Sequence, residues 1–236
     1  MAEAVQQVVA QLRKMIMTGD IQPGEKISEA SISGMIGLSR TPVRMALARL
    51  EMDGLIEKRE GRGYTVREVK LADLENAVQV RGMLEGAAAS YMARNGISRQ
   101  AKRLVKESLS MSQSIVDKVE INEADLELYQ DANTLFHETI MDQCGNEYVG
   151  MSYDRIRHLP MLALGLFDFK IDQVDRERMR ITVAHSQHTI VMDAIERGDA
   201  LRAEMMMREH SNAILRYATL FVENSDADVL SILRKA

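Results

Sequence analysis

Three of the five histidines of this chain lie on the apolar faces of separate predicted helices: His137, His188 and His210. Asn133 lies one helical turn before His137, so both side chains point the same way. Neutral imidazoles that converge in the core of a helical bundle suit zinc, nickel or a similar divalent metal. A single histidine on an apolar face is more often an ordinary core residue, and that alternative stays open here.

A second group of residues suits the recognition of DNA. Arg40, Arg44 and Arg49 lie within residues 38–50, a segment that contains no acidic residue. A guanidinium group can pair through two hydrogen bonds with the O6/N7 edge of guanine. Residues 1–70 hold 11 basic and 9 acidic residues, whereas residues 71–236 hold 19 and 26. A slightly basic segment joined to a larger acidic one is typical of a DNA-binding domain with a separate regulatory domain.

The elements that would carry the arginines are three helices and a β-hairpin. Apolar residues recur with a helical period over residues 4–18. A short second helix follows Ser28 as its N-cap, and a third follows Thr41 as N-cap, with Pro42 at its first position. Two strands, over residues 55–59 and 64–69, flank the corner Gly61-Arg62-Gly63. This order predicts a winged helix-turn-helix.

The rest of the chain predicts an antiparallel helical bundle. The helical segments cover residues 71–95, 98–118, 123–143, 146–167, 173–197 and 199–223. Gly96, Gly145 and Gly198 lie in the breaks, where helix C-caps belong, and Pro160 predicts a kink or split in the fourth helix. The expected fold is mainly α, with a winged domain over residues 1–70 and an all-helical domain over residues 71–236.

The composition excludes several classes of protein. The chain has 236 residues, 46% hydrophobic and 28% charged, which is typical of a globular protein. No stretch approaches the ~18 uninterrupted apolar residues of a membrane-spanning helix, and the N-terminus lacks the pattern of a secretory signal. The single cysteine, Cys144, cannot form an internal disulfide. We therefore expect a cytoplasmic protein without a membrane partner.

The segment from Ile27 to Leu50, preceded by Gly19-Asp-Ile-Gln-Pro-Gly-Glu25, closely resembles the DNA-binding domain of the GntR family of bacterial transcription regulators. The run Ser39-Arg-Thr-Pro-Val-Arg44 is the most specific part of the resemblance. The resemblance implies a homodimer on a pseudo-palindromic operator in double-stranded DNA. Met45 departs from the family pattern, where Glu is usual, and so does Ala30, where a basic residue is frequent.

The residues that the resemblance assigns to DNA lie at the third helix or in the wing: Arg40, Thr41, Pro42, Arg44, Arg49, Arg62 and Gly63. The start of this helix is expected in the major groove, with Arg40 and Arg44 reading bases. The N–H groups of its first turn are suited to a phosphate. Arg49 is placed for the DNA backbone, and Gly63 lets the wing approach the minor groove.

The second half resembles the FCD ligand-binding domain of the FadR-type branch of that family. The resemblance rests on Asn133-x-x-x-His137, on His188 and His210, and on the segment Arg81-Gly-Met-Leu-Glu85. In many such domains an Asp and three His bind a divalent metal that holds a carboxylate effector. Asn133 stands at the Asp position, so metal affinity is expected to fall. Arg81 and His185 are candidate effector contacts, and an internal pair of Arg81 with Glu85 is an equal alternative.

These features favour a ligand-responsive transcription regulator, either repressor or activator. One alternative keeps the regulator but gives it a metal-free pocket, in which the histidines bond an acid or a long acyl thioester directly. A metalloenzyme is disfavoured, because His137-Glu138 lacks a second histidine at residue 141, and no nucleophile–base pair or glycine-rich phosphate loop appears. We expect no enzymatic activity.

Overall fold

A computed structural model describes residues 2–61, 63–68, 71–156 and 174–219. The predicted kink at Pro160 and the second half of the fourth predicted helix of the bundle lie outside these residues. Within them the chain forms two compact units, which divide between Leu74 and Glu75.

The first unit contains three helices and a small sheet. Its elements are α1 (Ala2–Thr18), β1 (Lys26–Ile27), α2 (Glu29–Ile36), α3 (Arg40–Met52), β2 (Ile56–Lys58) and β3 (Tyr64–Val66). The sheet is antiparallel in the order β1-β3-β2, so the hairpin gains a third strand that the sequence did not predict. That strand is only two residues long, too short for a pattern of alternating polarity to identify it.

Local signals explain the ends of α2. Ser28 accepts a hydrogen bond from the Ser31 N–H, and the Ser31 hydroxyl accepts one from the Ser28 N–H, which forms a capping box. Gly37 ends the helix with φ of 75°, a left-handed conformation that glycine adopts without strain. The predicted N-cap at Ser28 is confirmed.

The predicted start of α3 is wrong by two residues. Ser39, not Thr41, is the N-cap, and the helix begins at Arg40. Pro42 is therefore the third helical residue rather than the first. The position is tolerated because the first four N–H groups of a helix have no partner within the helix. Proline marked the first turn correctly but could not specify which residue of that turn it occupies.

The core of the first unit joins all three helices. Its fully buried side chains include Leu12 and Ile16 of α1, Ile32 of α2, and Leu47 and Leu50 of α3. Burial of a side chain of this size contributes about 1.5–3 kcal/mol to stability. Because α3 is fixed by Leu47 and Leu50, its opposite face is exposed.

The described residues of the second unit form helices joined by short loops, and the first of these helices begins at Leu71, just before the division. Its elements are α4 (Leu71–Asn95), α5 (Arg99–Val116), α6 (Glu123–Gln143), α7 (Glu147–Ile156), α8 (Val174–Glu196) and α9 (Ala200–Thr219). Ser98 caps α5 through the Ala101 N–H, and Asn122 caps α6 through the Asp125 N–H. No helix among the described residues is both long and apolar enough to cross a membrane.

Two glycines of α4 bring α9 close to it. A Cβ atom on Gly82 would lie 2.8 Å from the Ser211 Cβ, and one on Gly86 would lie 2.9 Å from the Arg208 Cγ. Both distances are shorter than real Cβ contacts, so the close packing of these helices requires glycine. This approach positions His210 of α9 near the polar residues of α4.

Candidate metal centre and DNA interface

The structure brings together the three histidines that the sequence singled out. His137 of α6, His188 of α8 and His210 of α9 are all buried, and each offers a ring nitrogen within 4.8 Å of the others. His210 Nε2 lies 3.2 Å from His188 Nε2 and 3.3 Å from His137 Nε2. Phe136 stacks on the His188 ring with centroids 3.8 Å apart, which fixes the plane of that imidazole.

These nitrogen separations fit the ligand shell of one metal ion. Zinc binds histidine nitrogen at about 2.0–2.1 Å, so two ligands of a tetrahedral site lie about 3.3 Å apart. The separations of His210 Nε2 from the other two Nε2 atoms, 3.2 and 3.3 Å, agree with that distance between ligand atoms. Three buried imidazoles from three helices therefore offer a donor set of the kind that zinc or nickel binds.

The outer nitrogens of two rings face oxygen acceptors. His210 Nδ1 lies 2.9 Å from Gln187 Oε1, and because an amide oxygen only accepts, Nδ1 carries the proton. His137 Nδ1 lies 2.9 Å from Glu85 Oε1, close in distance but not aligned as a hydrogen bond. The His210 contact favours the tautomer in which its Nε2 lone pair points into the cluster, the arrangement that outer partners impose on metal-binding histidines.

Burial keeps two of the three rings, His188 and His210, uncharged. Burial, together with the neighbouring imidazoles of His210 and His137, holds the pKa of His188 well below its usual range. Burial and the nearby His137 lower the pKa of His210 to about 3. Both rings are therefore neutral at pH 7, and neutral imidazole is the form that binds metal.

Glu85 connects the histidine cluster to a buried arginine. Its Oε1 accepts a hydrogen bond from Arg81 Nε at 2.8 Å and one from the Tyr153 hydroxyl at 3.3 Å. Although burial opposes ionisation, the charge of Arg81 and the contact with His137 hold the pKa of Glu85 well below its usual range. Glu85 is therefore a buried carboxylate at pH 7. The sequence offered its pair with Arg81 as one of two equal alternatives but gave no sign of its contact with His137.

Asn133 and His185 each have a hydrogen-bond partner other than the three converging histidines. Asn133 is buried one turn before His137, and its Oδ1 accepts a hydrogen bond of 3.5 Å from the Tyr129 hydroxyl. His185 is half-buried, and its Nδ1 lies 2.8 Å from the Ser112 hydroxyl of α5. His185 therefore does not belong to the group of converging imidazoles. The other histidine outside that group, His158, lies outside the described residues.

The exposed start of α3 carries the residues predicted to contact DNA. Arg40 and Thr41 are exposed in its first turn. Pro42, by contrast, is buried in the core of the unit, so it shapes the helix start and offers no surface to DNA. Pro42 was placed among the contacts because it belongs to the motif from Ser39 to Arg44, and only the packing of the helix separates it from the exposed Thr41.

Acidic partners outside the predicted segment hold two of the arginines. Arg44 pairs with Glu29 of α2, with Nε to Oε1 at 2.8 Å and Nη2 to Oε2 at 3.0 Å. Arg49 Nε lies 3.2 Å from Asp53 Oδ1. Although residues 38–50 contain no acidic residue, Arg44 therefore has an acidic partner from outside that segment. Glu29 was missed because fifteen residues separate it from Arg44 in sequence.

The packing of the sheet explains why a glycine occupies residue 63 of the wing. Gly63 has φ of 90°, and a Cβ atom there would lie 2.7 Å from the carbonyl oxygen of Ile27 on β1. Any side chain would therefore strain the backbone and push β1 from the sheet. This packing accounts for Gly63 without a contact to DNA. Arg62, the other wing residue predicted to contact DNA, lies outside the described residues.

Family models match both units. The model of bacterial regulatory proteins of the gntR family matches residues 4–66, and the model of the FCD domain matches residues 76–213. The chain belongs to the GntR family and carries an FCD domain. It is therefore a DNA-binding transcriptional regulator and not an enzyme, as the sequence predicted.

Similar proteins of known sequence or structure are consistent with this family assignment. A probable D-xylose utilization operon transcriptional repressor of Paenarthrobacter nicotinovorans is 28% identical over 88% of this chain and 87% of its own length. The transcriptional repressor RspR of Escherichia coli is 26% identical over 94% of this chain and 92% of its own. The solved structure of E. coli McbR/YncC has a TM-score of 0.64 at 21% identity, covering 92% and 98% of the two chains. This GntR regulator therefore has the predicted fold, a winged helix-turn-helix and a helical FCD domain.

Proposed function

We propose that this regulator binds a small carboxylate effector through a divalent metal held in its FCD domain, and that the effector sets its affinity for operator DNA. The observation that carries the proposal is the convergence of three buried Nε2 atoms with the 3.2 and 3.3 Å separations of a tetrahedral site. His137, His188 and His210 would hold the metal, with Asn133 as a further oxygen ligand. A bound metal would supply the positive charge that attracts a carboxylate.

The charges around the cluster support an anionic effector. The His188 and His210 imidazoles are neutral, and Glu85 and Arg81 cancel each other in the adjacent buried pair. A divalent ion would therefore keep its charge of +2 and favour an acid in an open coordination position. We propose Arg81 and His185 as further effector contacts. Arg81 is then expected to bind the effector while it keeps its bond to Glu85.

We propose that the start of α3 reads an operator in double-stranded DNA, and that the protein is a repressor, as its relatives in P. nicotinovorans and E. coli are named. Arg40 and Arg44 would read bases, Thr41 would hold a phosphate, and Arg49, Arg62 and Gly63 would contact the DNA backbone and minor groove. Because bacterial operators lie in the cytoplasm, the protein would act there.

The substitution Arg44→Ala tests the reading of bases. It is expected to cost about 1–3 kcal/mol of binding free energy on the operator and to relax the base preference at one position of each half-site. Fluorescence anisotropy with an operator selected by the wild-type protein from random duplexes measures both effects. An equal loss of affinity for operator and scrambled DNA would show that Arg44 contacts only phosphate.

We propose that the regulator is a homodimer that binds a pseudo-palindromic operator. Helix α4 carries an exposed apolar stripe of Val80, Met83 and Tyr91, spaced so that they share one face. A second copy of the chain would cover this stripe.

The double substitution Val80→Glu/Met83→Glu tests the dimer. It is expected to weaken dimerisation at least about tenfold, because both charges would have to be buried in the interface. Sedimentation velocity across protein concentrations measures the effect. Met179→Glu is the control, since Met179 is also an exposed apolar residue but lies on α8. A wild-type protein that is monomeric, or a double variant that dimerises like the control, would contradict the proposal.

A further inference from the structure

The pair formed by Arg44 and Glu29 uses one particular edge of the guanidinium group. Arg44 Nε and Nη2 donate to the two oxygens of Glu29, at 2.8 and 3.0 Å. A guanidinium has a second bidentate edge, formed by Nη1 and Nη2 at the end of the side chain. Guanine needs only one such edge for its O6 and N7 atoms. The carboxylate and a guanine base can therefore bind the same Arg44 together.

The two partners lie on different helices of the helix-turn-helix. Glu29 is the first residue of α2, and Arg44 is the fifth residue of α3. Both helices are anchored in the core, by Ile32 and Leu47 among others. Glu29 is therefore a fixed point against which the long Arg44 side chain is held. An arginine that is already ordered loses less conformational entropy when it pairs with a base.

The charge of Glu29 also acts against indiscriminate binding. The Arg44 side chain is 66% exposed, so without Glu29 its full charge would be available to any phosphate. A carboxylate beside it compensates that charge and repels the DNA backbone. The hydrogen bonds to a guanine edge depend on geometry and remain available. The pair thus weakens contacts with phosphate more than contacts with a base.

We propose that Glu29 is a positioning residue for Arg44 that sets the specificity of this regulator for its operator. The proposal rests on the DNA-binding function, in which Arg44 reads a base. Glu29 itself need not touch DNA. Its role is to hold the guanidinium in the orientation that favours guanine and to oppose binding to DNA of any other sequence.

The experiment compares Glu29→Gln with Glu25→Gln in the full-length protein. Both substitutions remove one negative charge from the winged unit, but the Glu25 side chain accepts a hydrogen bond from the Gln22 N–H and not from Arg44. The probes are the duplex selected by the wild-type protein from a random pool and a scrambled duplex of the same length. Affinities for both are measured by anisotropy at two or more salt concentrations, because phosphate contacts change with salt.

Glu29→Gln is expected to reduce the ratio of operator to scrambled affinity about tenfold, with tighter binding to the scrambled duplex. Glu25→Gln is expected to leave that ratio within about twofold of the wild type. Selection with the Glu29→Gln protein should lose preference at the same base position that Arg44→Lys relaxes. Thermal unfolding of each variant shows that the fold is kept.

A double-mutant cycle with Arg44→Lys separates positioning from a general effect. Lysine keeps the charge but lacks the two-edged fork, so Glu29→Gln should cause little further loss of specificity in that background. An unchanged specificity ratio in Glu29→Gln, or an equal loss with arginine and with lysine at residue 44, would overturn the proposal. A wild-type protein that selects no preferred duplex would instead overturn the operator-binding function itself.

Discussion

Glu85→Gln is expected to lower the free energy of unfolding of the FCD domain by about 3–5 kcal/mol, the usual cost of breaking a buried ion pair from one side. Glu85 and Arg81 are 1% and 5% exposed, and glutamine would leave the arginine charge without a compensating anion. The substitution would also weaken the hydrogen bond from Arg81 and the contact with His137. Urea unfolding of chelator-treated protein at pH 7, followed by helical circular dichroism, measures the loss.

Two variants make this prediction specific. Glu177→Gln removes another buried glutamate, but its partner at 2.9 Å, Arg180, is more exposed than Arg81, so a smaller loss is expected. The double variant Arg81→Met/Glu85→Leu removes both charges of the first pair and should recover much of the stability that Glu85→Gln loses. If Glu85→Gln cost no more than Glu177→Gln, the carboxylate would not be needed to compensate Arg81.

Helical periodicity and glycine predicted the larger elements of the fold well. The six helical segments of the bundle agree with α4 to α9 to within a few residues wherever the structure describes them. Such helices carry long apolar faces, so many residues contribute to the same signal. The two-residue strand β1 and the first residue of α3 depend on one or two residues each, and both were missed or misplaced.

The candidate sites were predictable only where one helix face carried the signal. The three histidines could be chosen because each lies on its own apolar stripe, and a buried bundle brings such stripes together. Gln187 and Glu29 could not be predicted, because each gains its role from a residue on another helix. Gln187 contacts His210, and Glu29 pairs with Arg44. Contacts between helices depend on rotation and packing distance, for which a single sequence carries no direct signal.

Metal and a carboxylate are expected to reinforce one another in this FCD domain, because Asn133 stands where an aspartate would add a negative charge. The His188 and His210 imidazoles and the Asn133 amide are neutral, and Glu85 is already compensated by Arg81. The metal-free site should therefore bind zinc or nickel weakly, and a carboxylate that supplies the missing charge should tighten that binding. The coupling is expected to be about 1–3 kcal/mol, or 5- to 150-fold, and must be the same in both directions.

Calorimetric titration of zinc with and without a panel of small carboxylates measures this coupling. Asn133→Asp is expected to tighten zinc binding at least about tenfold and to reduce its dependence on the acid, since the protein then supplies the charge itself. Asn146→Asp adds the same charge outside the histidine cluster, at a residue whose side chain caps the start of α7. It should change neither the zinc affinity nor its dependence on the acid. His188→Ala should weaken the binding of both zinc and the carboxylate.

Equal zinc affinity with and without every acid would refute the coupling. A wild-type protein that binds a carboxylate but no metal would favour the metal-free pocket, because the histidines would then bond the acid themselves.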